Sequence, residues 1–396
     1  MHDANGADRP HWAAVAEAVV ICPVVPWPPV DGARKRTLRL LETMEAAGVT
    51  PRLVSSGPEG ERAEALRTRG WPVDVVPESA PGRRARARQH LARRPSPYGA
   101  GIARRLEELR PARPAFVQVE HTIAAYYEDR HPAPRWILST HNIDSQVARS
   151  VARAERSVRT GFRAGALASL ERRVARAADL VVCASDADSE HFEALGARTL
   201  LVPNGIDDAF FAVPTPLPAN EQVLFFGRLD YAPNALGLAR FLRRGWPRLA
   251  AARPDAALRV AGPGLGPALR RDIAAAPRAE VLGVVDDLAA ELAMSRAVIL
   301  PVWEGGGTRL KALEAMAAAR PIAGTDFSVT GIGFRDGTHG LLADDPAALA
   351  DATATLLADP ARATALAHAA RAHAEKFRWG RVTLPLAEVY ARWAGG

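Results

Sequence analysis

Hydrophobic positions gather into short runs of about four to eight residues, and longer amphipathic stretches separate them. In the first half the apolar runs fall at 18–25, 52–55, 73–76, 115–119, 136–139, 179–184 and 199–202. Helical patterns lie between them, the longest running from about 145 to 177 without a proline. Strands that alternate with helices predict a mostly parallel sheet covered on both faces. The segment 213–219 (VPTPLPA) breaks the series, because three prolines in seven residues neither continue a helix nor fit a central strand. The alternation then restarts, with strands at 223–226, 257–261, 279–285, 297–302 and 321–323. Helices are expected at 235–243, 265–275, 288–294, 309–318, 346–357 and 361–376, with an amphipathic segment at 382–393 closing the chain. The fold class is therefore α/β, with two Rossmann-like domains whose strand ends can face each other across a cleft. The expected boundaries are 1–212, a linker at 213–219, 220–378, and a C-terminal helix at 379–396 free to pack back on the first domain.

Length and composition agree with two soluble globular domains: 396 residues, 48% hydrophobic and 24% charged. No apolar run reaches the roughly 18 residues of a membrane span. The polar, acid-containing start (MHDANGADRP) argues against a secretory signal peptide. Cys22 and Cys183 each sit inside an apolar run, as reduced buried thiols do, so the expected compartment is the cytoplasm. The net charge of +7 is almost wholly arginine, since lysine occurs only at 35, 311 and 376. The densest basic stretch, 83–94 (RRARARQHLARR), reads as a solvated helix face or as a peripheral contact with the inner membrane face. No aromatic residues interleave with those arginines, so nucleic acid is not an expected partner.

Ligands of open α/β sheets bind in the loops after the strands, and two loops stand out there. In the first, PVWEGGGTRLKALEAM from Pro301, an apolar strand is followed by Glu304, then Gly305, Gly306 and Gly307, and by Thr308 as the expected helix cap. Consecutive glycines let backbone approach a ligand closely, and a helix start offers free N–H groups to a phosphate. Lys311 falls in the first helical turn, where a cation opposes the helix dipole unless an anion sits nearby. Glu314, three residues on, shares that part of the helix surface and could accept hydrogen bonds from a ribose diol. The second loop is VLFFGRLDYAPN, where Gly227 turns the chain and Arg228 offers a planar fork suited to a diphosphate, with Asp230 able to hold it. Gly262, Gly264 and Gly266 also follow a strand, but Pro267 replaces the last glycine of a dinucleotide fingerprint. Asp186 and Asp188 follow Ser185 at a helix start and read as helix-dipole acids, not metal ligands. In the first half Gly32 marks the loop after the first strand, as a candidate acceptor or phosphate turn, and His121 and His141 each follow a strand.

Together these segments resemble the family 4 retaining glycosyltransferases of the GT-B fold. The resemblance rests on FFGRLDYAPN, RVAGPG, VLGVVDDLAAEL, LPVWEGGGTRLKALEAMAAARP and DGTHGLLADDP in the second half, and on STHNIDSQV, ERRVARAADLVVCAS and VPNGID in the first. It implies a nucleoside diphosphate sugar as co-substrate on the second domain, with no other cofactor and no metal, and an acceptor on the first. By the same resemblance Arg228 and Lys311 hold the diphosphate, Glu314 holds the ribose, and His121 lies near the sugar; Arg309, near Lys311 in sequence, is a further candidate for the diphosphate charge. Two departures stand out. The family's first glutamate would fall at 306, which is Gly306, with Glu304 two positions away. The lysine that often follows the glycine–arginine pair is absent, with Pro233 and Asn234 in its neighbourhood. A lipid-linked, polysaccharide or small-metabolite acceptor is equally compatible. A nucleotide-sugar epimerase or hydrolase on the same plan, and a degenerate donor-binding protein, stay open as alternatives.

Overall fold

The computed structural model describes residues 16–29, 32–57, 60–76, 100–110, 113–122, 133, 135–155, 158–305 and 309–395. The basic stretch 83–94 lies outside them. The chain forms two compact units, Met1–Pro203 with Thr383–Gly396, and Asn204–Val382.

The first unit contains β1 (Ala16–Cys22), β2 (Val49–Ser56), β3 (Val73–Val76), β4 (Val117–Glu120), β5 (Trp136–Ser139), β6 (Leu180–Cys183) and β7 (Thr199–Leu201). They pair in the order β3-β2-β1-β4-β5-β6-β7, every pair parallel. The inner strands β4, β5 and β6 are buried along their whole length, as expected for a parallel sheet with helices on both faces. The single helix expected over 145–177 is instead two, Asp144–Glu155 and Val158–Ala177, packed on each other. Ser145 fixes this arrangement: its backbone N–H and its hydroxyl donate to the two carboxylate oxygens of buried Glu171, at 2.8 and 2.5 Å. Ser185 caps the helix Asp186–Ala194 by accepting from the Asp188 N–H, with the two acids in its first turn.

The second unit contains β8 (Gln222–Phe226), β9 (Ala257–Ala261), β10 (Ala279–Gly283), β11 (Ala297–Leu300), β12 (Ile322–Gly324) and β13 (Leu341–Leu342), in the parallel order β10-β9-β8-β11-β12-β13. It begins at Asn204, ahead of the proline-rich segment at 213–219. Phe210, Phe211 and Val213 are buried in this unit's core, and Arg371 and Arg320 donate to the carbonyls of Phe211, Val213 and Pro214. Proline-rich chain is pinned here by side chains that reach its free carbonyls. The closing helix Leu384–Ala394 returns to the first unit, where Leu386 and Tyr390 are fully buried. Tyr390 stacks on Phe116 at 5.4 Å between ring centroids and donates to Gln118 Oε1 at 2.5 Å. No helix among the described residues is long and apolar enough to cross a membrane.

Candidate functional site

In the second sheet β8 and β11 are neighbours, yet the chain leaves them in opposite directions, toward β9 and toward β12. The loops at their carboxyl ends therefore diverge at a topological switch point, the place where open α/β sheets bind ligands. Gly227, with φ of 137°, turns the chain out of β8 while its N–H donates to the Ala261 carbonyl at 3.0 Å. A Cβ at Gly227 would stand 3.0 Å from Lys311 Nζ and 3.2 Å from Asn234 Nδ2, so glycine is what lets these groups close on the turn.

Lys311 is the second residue of the helix Leu310–Ala317, which follows β11. Its ammonium donates to Asn234 Oδ1 at 2.8 Å and lies 4.6 Å from the centroid of the Phe225 ring. Asn234 is buried, and its Nδ2 donates to the Arg228 carbonyl at 2.8 Å. One amide thus ties the loop after β8 to the helix after β11. Burial pushes the Lys311 ammonium down to about 7; nearby Arg309 acts in the same sense and Glu314 opposes it. Glu314, itself nearly buried, sits on the same helix.

Arg228 lays its fork on Asp230, at 3.0 and 2.8 Å, with side chains 58% and 48% exposed. The hydrogen bond from Arg228 holds the Asp230 carboxyl below its usual range. A pair this exposed adds little stability.

On the facing loop Glu304 and Gly305 are exposed. Gly305 has φ of 129°, and a Cβ there would come within 2.9 Å of Tyr231 Oη and Pro233 Cγ. Gly306, Gly307 and Thr308 lie outside the described residues. The helix has Arg309 at its N-cap position, with no side-chain cap bond, so the start is one residue later than a Thr308 cap implies. Arg309 packs its guanidinium 4.1 Å over the Phe327 ring, and burial lowers its pKa. The Gly262–Gly264 turn serves the neighbouring loop: a Cβ at Gly262 would lie 1.9 Å from the Gly227 carbonyl, and Leu229 N–H donates to Pro263 at 2.7 Å.

The first sheet has its own switch point, between β1 and β4. His121 directly follows β4 with φ of 69°, a strained value for a side-chain-bearing residue. Its ring stacks on His141 with centroids 3.8 Å apart and planes 20° from parallel. His141 Nε2 lies 2.8 Å from Glu120 Oε2, and Glu120 also accepts from Gln118 Nε2 at 2.6 Å and Thr37 Oγ1 at 3.2 Å. Burial alone would raise the Glu120 pKa, but the hydrogen bonds from His141 and Gln118 outweigh it and leave the carboxyl below its usual range. Burial, reinforced by His141 and Arg36 and opposed by Glu120, brings His121 down to about 3, so its imidazole is neutral at physiological pH. Fully buried Arg36 donates to the Val202 carbonyl at 2.7 Å. Gly32 is the first residue of the helix Gly32–Ala46.

The structure therefore gathers Gly227, Arg228, Gly305, Arg309, Lys311 and Glu314 on the second unit, and places His121 and Gly32 on the first. Sequence reading missed Asn234 as a partner of Lys311, and it missed Glu120 and Gln118. A carboxylate closing an apolar strand immediately before a histidine, as in FVQVEH, was the available signal for Glu120. Among the described residues no group of three or more His, Cys, Asp or Glu is placed to hold a metal ion.

Two family models match in tandem, "Glycosyltransferase Family 4" over residues 30–210 and "Glycosyl transferases group 1" over residues 220–359. The chain is 30% identical over 282 residues to a glycogen synthase of Mycobacterium tuberculosis, covering 66% of each protein. It is 34% identical over 265 residues to a D-inositol 3-phosphate glycosyltransferase of Kineococcus radiotolerans, covering 56% of this chain and 59% of that one. The chain thus spans just under two thirds of the first relative's length and less of the second. A crystal structure of Anabaena HepE in complex with UDP and glucose superposes with a TM-score of 0.67 at 17% identity, over 94% of this chain and 99% of that one. The two parallel-sheet units are those of the GT-B fold, and with both family models matched in order, the chain belongs to the family 4 glycosyltransferases.

Proposed function

We propose that this protein moves a sugar from a nucleoside diphosphate sugar to an acceptor hydroxyl, with retention at the anomeric carbon. The observation that carries the reading is Lys311: an ammonium withdrawn from water at the switch point, whose hydrogen-bond partner is a neutral amide. The nearby Glu314 carboxylate does not offset this burial, so an arriving anion would stabilise the charge further. Arg228 from one loop, Arg309 and Lys311 from the other, and the N-terminal end of the helix Leu310–Ala317 together suit a diphosphate, which presents oxygens to several directions at once.

Cleavage of the sugar–phosphate bond leaves negative charge on the departing diphosphate, and these donors stabilise it as it develops, with no metal required. The leaving oxygen can itself take the acceptor's proton, so no separate side-chain base is needed. Glu314 would accept from the ribose hydroxyls. His121, being neutral, would give or take a hydrogen bond near the sugar and would not act as an acid. The co-substrate is the only cofactor this scheme calls for. A UDP complex of HepE and the sugar-transferring names of the relatives support the reading.

A thermal-shift screen of nucleoside diphosphates and their sugars should identify the donor, because binding raises stability by mass action. With that donor, Lys311→Ala should slow transfer about 10²–10³-fold while the fold persists. Near-normal transfer by that variant would remove Lys311 from the mechanism.

A further inference from the structure

Asn234 is unusual among the residues around the switch point, because both ends of its amide are committed. Oδ1 accepts from the Lys311 ammonium and Nδ2 donates to the Arg228 carbonyl, each at 2.8 Å, and the side chain is buried. These bonds join positions 77 and 6 residues away in the chain. The Asn234 N–H donates to the Tyr231 carbonyl at 3.0 Å, so the residue is also fixed by the first turn of the helix Ala232–Arg244. The groups facing the Lys311 ammonium are the Phe225 ring from β8, the Gly227 turn, the Asn234 amide, and the charges of Glu314 and Arg309 on its own side. None of the contacts on the β8 side is ionic. An amide satisfies one of the three ammonium N–H groups without neutralising the charge, and it does so in a fixed direction.

We propose that Asn234 is a positioning residue: its amide holds the Lys311 ammonium against the Gly227 turn and fixes the Arg228 backbone, so that the loop after β8 and the helix after β11 grip one diphosphate together. This rests on the donor site proposed above. A carboxylate at 234 would hold the ammonium equally well but cancel the charge meant for the ligand. An alanine would leave the ammonium without direction.

The scarcity of lysine makes a direct test practical. With lysine only at 35, 311 and 376, a protein labelled with carbon-13 at lysine Cε gives three signals, and Lys311→Arg identifies one of them. In the nucleotide-free protein the Lys311 signal should titrate near 7. Asn234→Asp, nearly the same size, should move that midpoint up by a unit or more. Binding of UDP and GDP, measured in parallel, should weaken roughly tenfold or more in Asn234→Ala. In Asn234→Asp binding should weaken at pH 6, and its fall with rising pH should move to higher pH. A Lys311 midpoint unchanged in Asn234→Asp, with nucleotide affinity and its pH profile unchanged in both variants, overturns the assignment. A midpoint that follows residue 234 in a protein binding neither nucleotide keeps Asn234 as the partner that orients Lys311 and removes the diphosphate reading instead.

Discussion

Lys311 and His121 share one physical situation, a basic group withdrawn from water, and each leaves a signature in the pH dependence of stability. The lysine falls from its ordinary 10.5 to about 7 in the folded chain. Between those values the unfolded chain binds one proton more, so this group's contribution makes stability rise with pH across the window and fall to its lowest at and below pH 7. Lys311→Met should therefore gain melting temperature relative to the parent as pH drops from 10 to 7; a difference constant with pH would contradict a desolvated ammonium. His121 falls from 6.5 to about 3, so the unfolded chain again binds the extra proton between those limits. Stability supplied by its neutral ring is complete above pH 6.5 and is lost as pH falls toward 3. His121→Asn should flatten that loss, read as the change in urea midpoint between pH 7 and 4.5. Sequence alone marked Lys311, Arg228 and His121 as charges and rings beside strands. It could not show Asn234 under the lysine or His141 against His121, because those pairings exist only once β8 lies beside β11 and β4 beside β5.

Elements hold these residues in place largely through glycines, but not all for the same reason. Gly237 lies inside the helix Ala232–Arg244, where helix propensity favours alanine by up to about 1 kcal/mol. A Cβ there would sit 1.9 Å from the Pro301 carbonyl, so the bare backbone lets this helix press against the exit of β11. Gly237→Ala should therefore destabilise the second unit by about 1–3 kcal/mol despite the better propensity. Gly161, exposed in the helix Val158–Ala177, has nothing within 4 Å of its Cβ position. Gly161→Ala should stabilise by about 0.5–1 kcal/mol. Chemical denaturation of both variants separates the two roles, and a stabilising Gly237→Ala would mean that the helix can shift away from Pro301. Gly305 was legible as a glycine just past an apolar strand, whereas the clash it avoids involves Tyr231 and Pro233 of another loop and has no sequence signature.

At the scale of the molecule, the period of the hydrophobic runs was enough to separate two parallel sheets, because buried strands and amphipathic helices differ in both length and periodicity. The chain's passage between units was harder to read. Prolines at 213–219 mark where regular structure stops, but Phe210, Phe211 and Val213 decide which core that stretch joins, and the second unit takes them. The reverse passage is at Val382/Thr383, after which the helix Leu384–Ala394 completes the first unit's core from the far end of the sequence. That helix bears on the end of β4 that leads into His121: Tyr390 donates to Gln118, and Gln118 donates to Glu120, the carboxylate beside His141. Tyr390→Ala removes a fully buried ring stacked on Phe116 and should cost about 3–5 kcal/mol. Because the ring belongs to the first core alone, the loss should be local. Hydrogen exchange should quicken across β1, β4 and β5 and stay unchanged across β8 and β11, so that the donor binding proposed for the second unit should persist. Equal acceleration in both sheets would show instead that the two cores unfold as one, and that the last helix stabilises the whole chain.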